Sequence, residues 1–196
     1  LDAGAAIDAT SMWGVTPLEV AIYHGSVQAI DSLASHTIVP WALWTVAACG
    51  DVDLVRTCFD VRGQPLPEAT AHRPSPTGDG WPPRPPASDD VAEILAEAFV
   101  HACQSGRIEV IEWFLSNGID PDRAAYYGMT GLHYAIAQGF LAVVRLLVGR
   151  GASVRLRDER FDGDAYEWAQ HFLEQYPDDV ERRAIHDLLR TYGGKA

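Results

Sequence analysis

Three cysteines among 196 residues are too few for a disulfide framework, and their odd number leaves at least one thiol unpaired. This usage favours a reducing compartment, so we expect a cytoplasmic protein. Basic residues are also scarce, because 15 Lys and Arg face 27 Asp and Glu, a formal net charge of −12. That balance argues against nucleic-acid or anionic-membrane partners. No apolar run is long enough to span a membrane, and no secretion signal is visible.

Motifs for metal or cofactor binding are missing as well. Cys49, Cys58 and Cys103 form no CxxC pair, and no two histidines stand four residues apart. The sequence has no phosphate-cradling GxxxxGK[ST], no dinucleotide fingerprint after a strand and no GxSxG. We therefore expect no metal and no cofactor.

Apolar residues are plentiful by contrast. They make up 47% of the chain while charged residues make up 21%, so the chain has enough material for a core. Aromatic residues reach 10%, and six of them are tryptophan. The length suits one ordinary domain or two small ones.

Two segments repeat one pattern at a distance of 33 residues. Residues 106–118 (GRIEVIEWFLSNG) and residues 139–151 (GFLAVVRLLVGRG) both begin and end with glycine. Between the glycines, apolar residues recur at the spacing of one helix face. The closing glycine suits the left-handed backbone that ends many helices. Each segment therefore predicts one short helix.

A second motif precedes the helices. Residues 14–22 read GVTPLEVAI, and residues 128–136 read GMTGLHYAI. Thr16 can cap a helix, and Pro17 falls in its first turn, where no N–H is needed. The pattern resembles the ankyrin repeat, whose hallmark is a glycine turn followed by Thr-Pro-Leu-His and small residues. A 33-residue unit of this kind cannot bury its apolar face alone, so units must stack.

The resemblance implies an all-α ankyrin-repeat solenoid of about five helix-turn-helix units. Counted by the glycine between their two helices, units one to five are 12–36, 41–60, 92–118, 128–151 and 163–193. Residues 1–60 then hold units one and two, preceded by the tail of an earlier repeat. Residues 61–90 are an insert, and residues 91–196 hold units three to five with a C-terminal capping helix.

The spacing of these junction glycines predicts two departures from a regular stack. Gly25 and Gly50 are eight residues closer than a full repeat, so the finger (the turn linking successive units) is clipped between units one and two. Gly50 and Gly106 are 23 residues too far apart, and eight of the twelve prolines lie within residues 65–86. So much proline excludes helix and central strand from the insert. The insert is then a solvent loop or an ordered lid carrying Trp81.

Ankyrin-like stacks usually bind partners on a concave face formed by the fingers and the first helix of each unit. The resemblance therefore nominates these ligand-binding residues: Trp13, Tyr23, Trp41, Trp44, Trp81, Gln104, Tyr126, Tyr127, His133, Tyr134 and Trp168. Phe161 and Asp162 take finger positions before unit five. Aromatic enrichment marks protein interfaces and small-molecule pockets alike. The leading hypothesis is a binding module for a protein segment or a small apolar molecule, with basic partners favoured by the net charge.

The alternative is a small cofactor-independent enzyme of isomerase, cyclase or lyase type. Its acid–base residues would be His101, His171, His24 and Glu19, with Glu97 and Glu167 as further carboxylates, in a groove under the insert. His133 and Glu19 also occupy the fourth position of the motif, where a side chain can tie down the finger backbone instead. A third interpretation is a terminal piece of a longer scaffold. In each case we expect a monomer.

Overall fold

The computed structural model describes residues 6–11, 14–71 and 90–193. Over these ranges the chain is helical, with two isolated β-bridges and no strand. The helices are α1 (Pro17–Tyr23), α2 (Val27–Ala34), α3 (Leu43–Cys49), α4 (Val52–Thr57), α5 (Pro67–Thr70), α6 (Val91–Gln104), α7 (Ile108–Ser116), α8 (Gly131–Gln138), α9 (Leu141–Gly149), α10 (Ala165–Gln175) and α11 (Val180–Gly193). The predicted all-α repeat fold is thereby confirmed.

In units one to four, two helices are joined at a left-handed glycine, whereas residues 176–179, which contain no glycine, join α10 and α11 of unit five. The junction residues Gly25, Gly50, Gly106 and Gly139 have φ between 64° and 90°, a region that residues with a Cβ rarely adopt. The inner helices α3, α6, α8 and α10 pack side by side, and α4, α7, α9 and α11 lie behind them. Buried side chains such as Phe99, Phe114 and Leu132 fill the space between the two rows.

Small residues let neighbouring inner helices approach closely. A Cβ at Gly131, the first residue of α8, would lie 2.6 Å from Sγ of Cys103 on α6. Cys103 itself is fully buried, so it belongs to the core. Trp113 packs against the core and its neighbour Phe114 is buried, as their helical spacing predicts.

The described start of the insert corrects one prediction. Residues 67–70 form the single helical turn α5, although proline content was expected to exclude helix. Pro67 takes the first position of that turn, where the missing N–H costs nothing. Phe59 bridges to Pro65, and Ala69 is fully buried. The insert therefore begins as ordered structure packed on unit two, and the expected lid with Trp81 lies outside the described residues.

Unit one does not continue the row of inner helices. Gln104, at the end of α6, donates its amide N–H to Tyr23 O at 3.2 Å, and Gln138, at the end of α8, donates to His24 O at 3.5 Å. In a straight row, unit one would stand two and three helix spacings of about 8–10 Å from units three and four. The clipped connection, residues 35–42, instead lets α1 and α2 lie across the ends of the inner helices.

Candidate functional site

A buried carboxylate shapes the finger that precedes unit five. Asp158 accepts backbone N–H groups from Arg160 at 2.8 Å, Phe161 at 2.7 Å and Gly163 at 3.1 Å. The indole N–H of Trp168, on α10, donates to the same carboxylate at 2.9 Å. Burial alone would raise the pKa of Asp158, but these donors outweigh it and hold the pKa below its usual value. Finger and helix are thus locked together through one charged side chain.

Beside this finger opens a cleft of about 640 Å³. Its lining residues are Arg157, Phe161, Asp162, Gly163, Glu167, Trp168, Gln170, His171, Phe172 and Glu174. The ring centroids of Phe161 and Trp168 are 5.7 Å apart, and those of Trp168 and Phe172 are 5.8 Å apart. Phe161 is 62% exposed, so an aromatic surface faces the solvent.

Carboxylates line the cleft beside the aromatic rings, and guanidinium groups lie over two of these rings, Arg160 at 4.8 Å from the centroid of Phe161 and Arg182 at 5.2 Å from that of Phe172. Asp162, Glu167 and Glu174 line the cleft together with one guanidinium, that of Arg157. Arg157 lies 2.8 Å from Asp162 and 3.0 Å from Glu167, measured from guanidinium nitrogen to carboxylate oxygen. Negative charge is therefore in excess among the residues that line the cleft, as it is in the whole chain.

A histidine supports the cleft from behind. His133 Nδ1 accepts the backbone N–H of Thr130 at 3.2 Å, which leaves Nε2 to donate to Gly163 O at 3.3 Å. Its ring lies 5.5 Å from that of Trp168. Burial lowers the pKa of His133, against the opposing field of Asp158. His133 is thus neutral, and its two hydrogen bonds connect the start of α8 to the finger of unit five.

A second group of predicted residues meets between units two, three and four. Tyr126 donates its hydroxyl to Glu97 Oε1 at 2.8 Å. His101, one turn after Glu97 on α6, has its ring 5.4 Å from Trp44 and 6.1 Å from Tyr126. All four side chains are buried, and His101 is only 1% exposed. The cluster joins three neighbouring units.

Of the other predicted residues, Tyr23, His24 and Gln104 meet where unit one contacts unit three, and the rest lie apart. Glu19 accepts the backbone N–H of Thr16 at 2.7 Å and so caps α1. His24 is exposed at the end of α1, and Trp41 donates its indole N–H to Thr57 at 3.2 Å. Tyr127 and Tyr134 are half-buried. Trp13 and Trp81 lie outside the described residues.

The cleft brings together five of the sequence-predicted site residues: Trp168, His171, Phe161, Asp162 and Glu167. Sequence reasoning missed Asp158, Arg157, Gln170 and Glu174. Helical spacing could have found the last two, because Gln170 and Glu174 are one turn apart and flank His171 on α10. No motif marks Asp158, whose role depends on how the finger folds.

Within the described ranges, no group of His, Cys, Asp and Glu side chains is arranged to hold a metal ion. A search of the same residues finds no helix with the length and apolar character needed to cross a membrane.

Known proteins resemble parts of this chain. An ankyrin repeat-containing protein of Schizosaccharomyces pombe is 30% identical over 91 residues, which are 46% of this chain and 39% of that protein. The ankyrin repeat, SAM and basic leucine zipper domain-containing protein 1 of Ovis aries is 40% identical over 61 residues, 31% of this chain and 13% of the relative. An L-asparaginase of Dirofilaria immitis is 32% identical over 66 residues, 34% of this chain and 11% of the relative.

The chain spans less than two fifths of the length of each of these relatives. The family model described as ankyrin repeats (many copies) matches residues 99–148, from the second half of α6 to the end of α9. Stacked helix pairs, glycine junctions and the capped motif at Thr130 fall within that match. The chain is therefore an ankyrin-repeat protein.

Proposed function

We propose that this protein binds a basic protein segment in the cleft between the finger of unit five and α10. Ankyrin repeats are generally protein–protein interaction modules. The cleft belongs to the finger and inner-helix surface that such modules use. Cytoplasmic localisation is part of the same proposal, since three free thiols persist in a reducing compartment.

One observation carries the proposal: a phenyl ring that is 62% exposed, with the guanidinium of Arg160 over it at 4.8 Å, lies in a cleft lined by carboxylates. Phe161 offers an apolar contact that a partner side chain can cover, and such aromatic anchors supply much of the binding energy at interfaces. Glu167 and Glu174 offer negative charge to Arg or Lys of the partner. The expected ligand is therefore a segment with an apolar anchor next to basic residues.

The test uses a random 12-residue peptide library displayed on phage and selected against the full chain. We expect enrichment of peptides that combine Arg or Lys with an aromatic or aliphatic residue. Synthetic copies should then bind about tenfold more weakly to the Phe161→Ala variant by fluorescence anisotropy, as for loss of an interface anchor. Binding should also weaken as salt rises, because the charged contacts are exposed.

The matched control is Tyr192→Ala, which removes an exposed aromatic ring of α11 outside the cleft. Its affinity for the selected peptides should equal that of the unaltered chain. Peptides without basic residues, or equal losses in Phe161→Ala and Tyr192→Ala, would refute the proposed site.

A further inference from the structure

Part of the surface that ankyrin repeats offer to partners is occupied by the chain's own unit one. Gln104 and Gln138 end α6 and α8, the first helices of units three and four, which the resemblance assigns to the concave face. In the structure their side chains bond the carbonyls of Tyr23 and His24. An intramolecular segment therefore covers both positions.

The fit at the glycine junction of unit one is close. A Cβ at Gly25 would overlap the amide of Gln138 and would lie 2.8 Å from Cγ of Gln104. Gly25 is itself buried, with φ of 64°. Glycine at this position satisfies two requirements, the left-handed turn between α1 and α2 and the contact with units three and four.

An arginine adds a third attachment. Arg107, which follows the junction of unit three, donates Nε–H to Ala48 O at 2.7 Å and places Nη2 2.6 Å from Asp31 on α2. The side chain of Arg107 is 16% exposed, whereas that of Asp31 is 57% exposed. Because the pair is open to water on the Asp31 side, it adds little to the stability of docking.

The attachments to units three and four are thus few and polar. Two side-chain amides and one half-exposed ion pair hold unit one there. Apolar side chains of unit one, Leu18, Ala21 and Ile22 of α1 and Ile30 of α2, are buried in the hydrophobic core, and both helices contact α3 of unit two. The polar contacts to units three and four exchange readily for water, so this part of the attachment can open without global unfolding.

We propose that α1 and α2 are a releasable cover, docked in cis on the inner-helix ends of units three and four and detaching from that surface by local opening. The docking rests on contacts within the chain. The covered surface is separate from the unit-five cleft of the proposed function, and opening of the cover can be measured with no partner present.

Cys49 provides a native reporter of this opening. It is half-buried at the end of α3, next to Arg107 and within the electrostatic reach of Asp31. Burial raises the pKa of the Cys49 thiol to about 11, so the docked state disfavours the reactive thiolate. Release of α2 would expose the thiol, whereas Cys103 is fully buried within the stack and serves as an internal standard.

The experiment measures iodoacetamide labelling of Cys49 in the full chain by peptide mass spectrometry. Gln138→Glu places a carboxylate, which accepts hydrogen bonds, opposite the acceptor His24 O. Gln138 lies in unit four and Cys49 in unit two, so we expect an effect on the labelling rate of Cys49 to be transmitted through unit one. We expect Cys49 labelling to be about fivefold faster, as for loss of one hydrogen bond, with Cys103 labelling unchanged. Gln64→Glu makes the same change of charge on an exposed turn and should leave both rates unchanged.

A second measurement guards against an effect confined to Cys49. In a Cys49→Ser background, cysteines are placed at His24 and Gln138. A short bismaleimide should join them if unit one is docked, because the two positions are then in contact. A straight row of units would hold them too far apart for this reagent. The joined chain should show slower amide hydrogen exchange in α1 and α2. Failure to cross-link would overturn the docking. The proposed release of α1 and α2 would be overturned by either of two results. One is amide exchange of these helices only through global unfolding, and the other is unchanged Cys49 labelling in Gln138→Glu.

Discussion

At the scale of single residues, one position of the repeat motif does the same work with different chemistry. The third helical residue is Glu19 in unit one, His133 in unit four and Glu167 in unit five. Each side chain accepts the backbone N–H of the residue that caps its own helix. The histidine also has a second nitrogen, Nε2, which donates a hydrogen bond to Gly163 O in the next finger. This bond connects unit four to unit five.

His133 makes the stability of the protein depend on pH. Its pKa is lowered from 6.5 in the folded chain, so as pH falls below about 6.5 the unfolded chain takes up the proton first and the free energy of unfolding decreases. His133→Gln keeps an acceptor for Thr130 and a donor for Gly163 without titrating. We expect urea titrations from pH 7.5 to pH 5 to show a smaller loss of stability in this variant.

His36→Gln is the control for this comparison, because His36 is exposed. It should retain the full pH dependence of the unaltered chain. An identical pH dependence in His133→Gln would show that His133 is not the titrating group.

At the scale of helices, the distance between neighbouring inner helices depends on the small side chains at their contact. Gly131, the first residue of α8, lies against Cys103 of α6. The equivalent motif position in unit one is Pro17, the first residue of α1. Arginines hold adjacent units at the other end: Arg107 donates to Ala48 O at 2.7 Å, and Arg182 to Ile136 O at 3.2 Å. Both carbonyls belong to the last turn of an inner helix, so one device is used in two places.

Gly131→Ala should destabilise the protein by about 1–3 kcal/mol, because the added methyl group would lie 2.6 Å from Sγ of Cys103. Removing that sulfur with Cys103→Ala should recover part of the loss, so the double variant is more stable than the sum of the single changes predicts. Urea unfolding of the four proteins measures this coupling. Additive effects would place the strain of Gly131→Ala elsewhere.

At the scale of the whole molecule, two properties stand out: the surplus of negative charge and the folded-back first unit. The formal charge of −12 is spread over the whole chain, and it opposes the compact state through self-repulsion. Described ion pairs such as Arg56–Asp53 and Arg150–Glu112 are solvent-exposed, so they offset little of this repulsion.

Salt should therefore stabilise the protein near neutral pH. Raising NaCl from about 20 mM to about 500 mM shortens the Debye length to a few ångströms, and we expect Tm to rise by about 2–4 °C in circular-dichroism melts. The same change at pH 4.8, the isoelectric point calculated from the sequence, should have little effect. A fall of Tm with salt at pH 7 would mean that attractive pairs dominate.

The helix pairs could be predicted from the sequence because their signals are local. Glycines at the junctions, Thr16 and Pro17 at a helix start and apolar spacing in residues 108–115 each act within one or two turns. The four-residue helix α5 was missed because the proline content of a segment does not show where each proline stands. Proline is unfavourable in a helix interior but favourable at the first helical position, which Pro67 occupies.

Sequence patterns are enough to identify the repeat, its helix pairs and the acidic, aromatic character of the chain. Tertiary structure alone decided which residues meet: the four donors on Asp158, the cleft around Phe161 and the contact of Gly25 with units three and four. Residues 24 and 138 are 114 positions apart, and nothing in local preference encodes such a contact. It depends on how the eight-residue connection between α2 and α3 directs unit one across the stack.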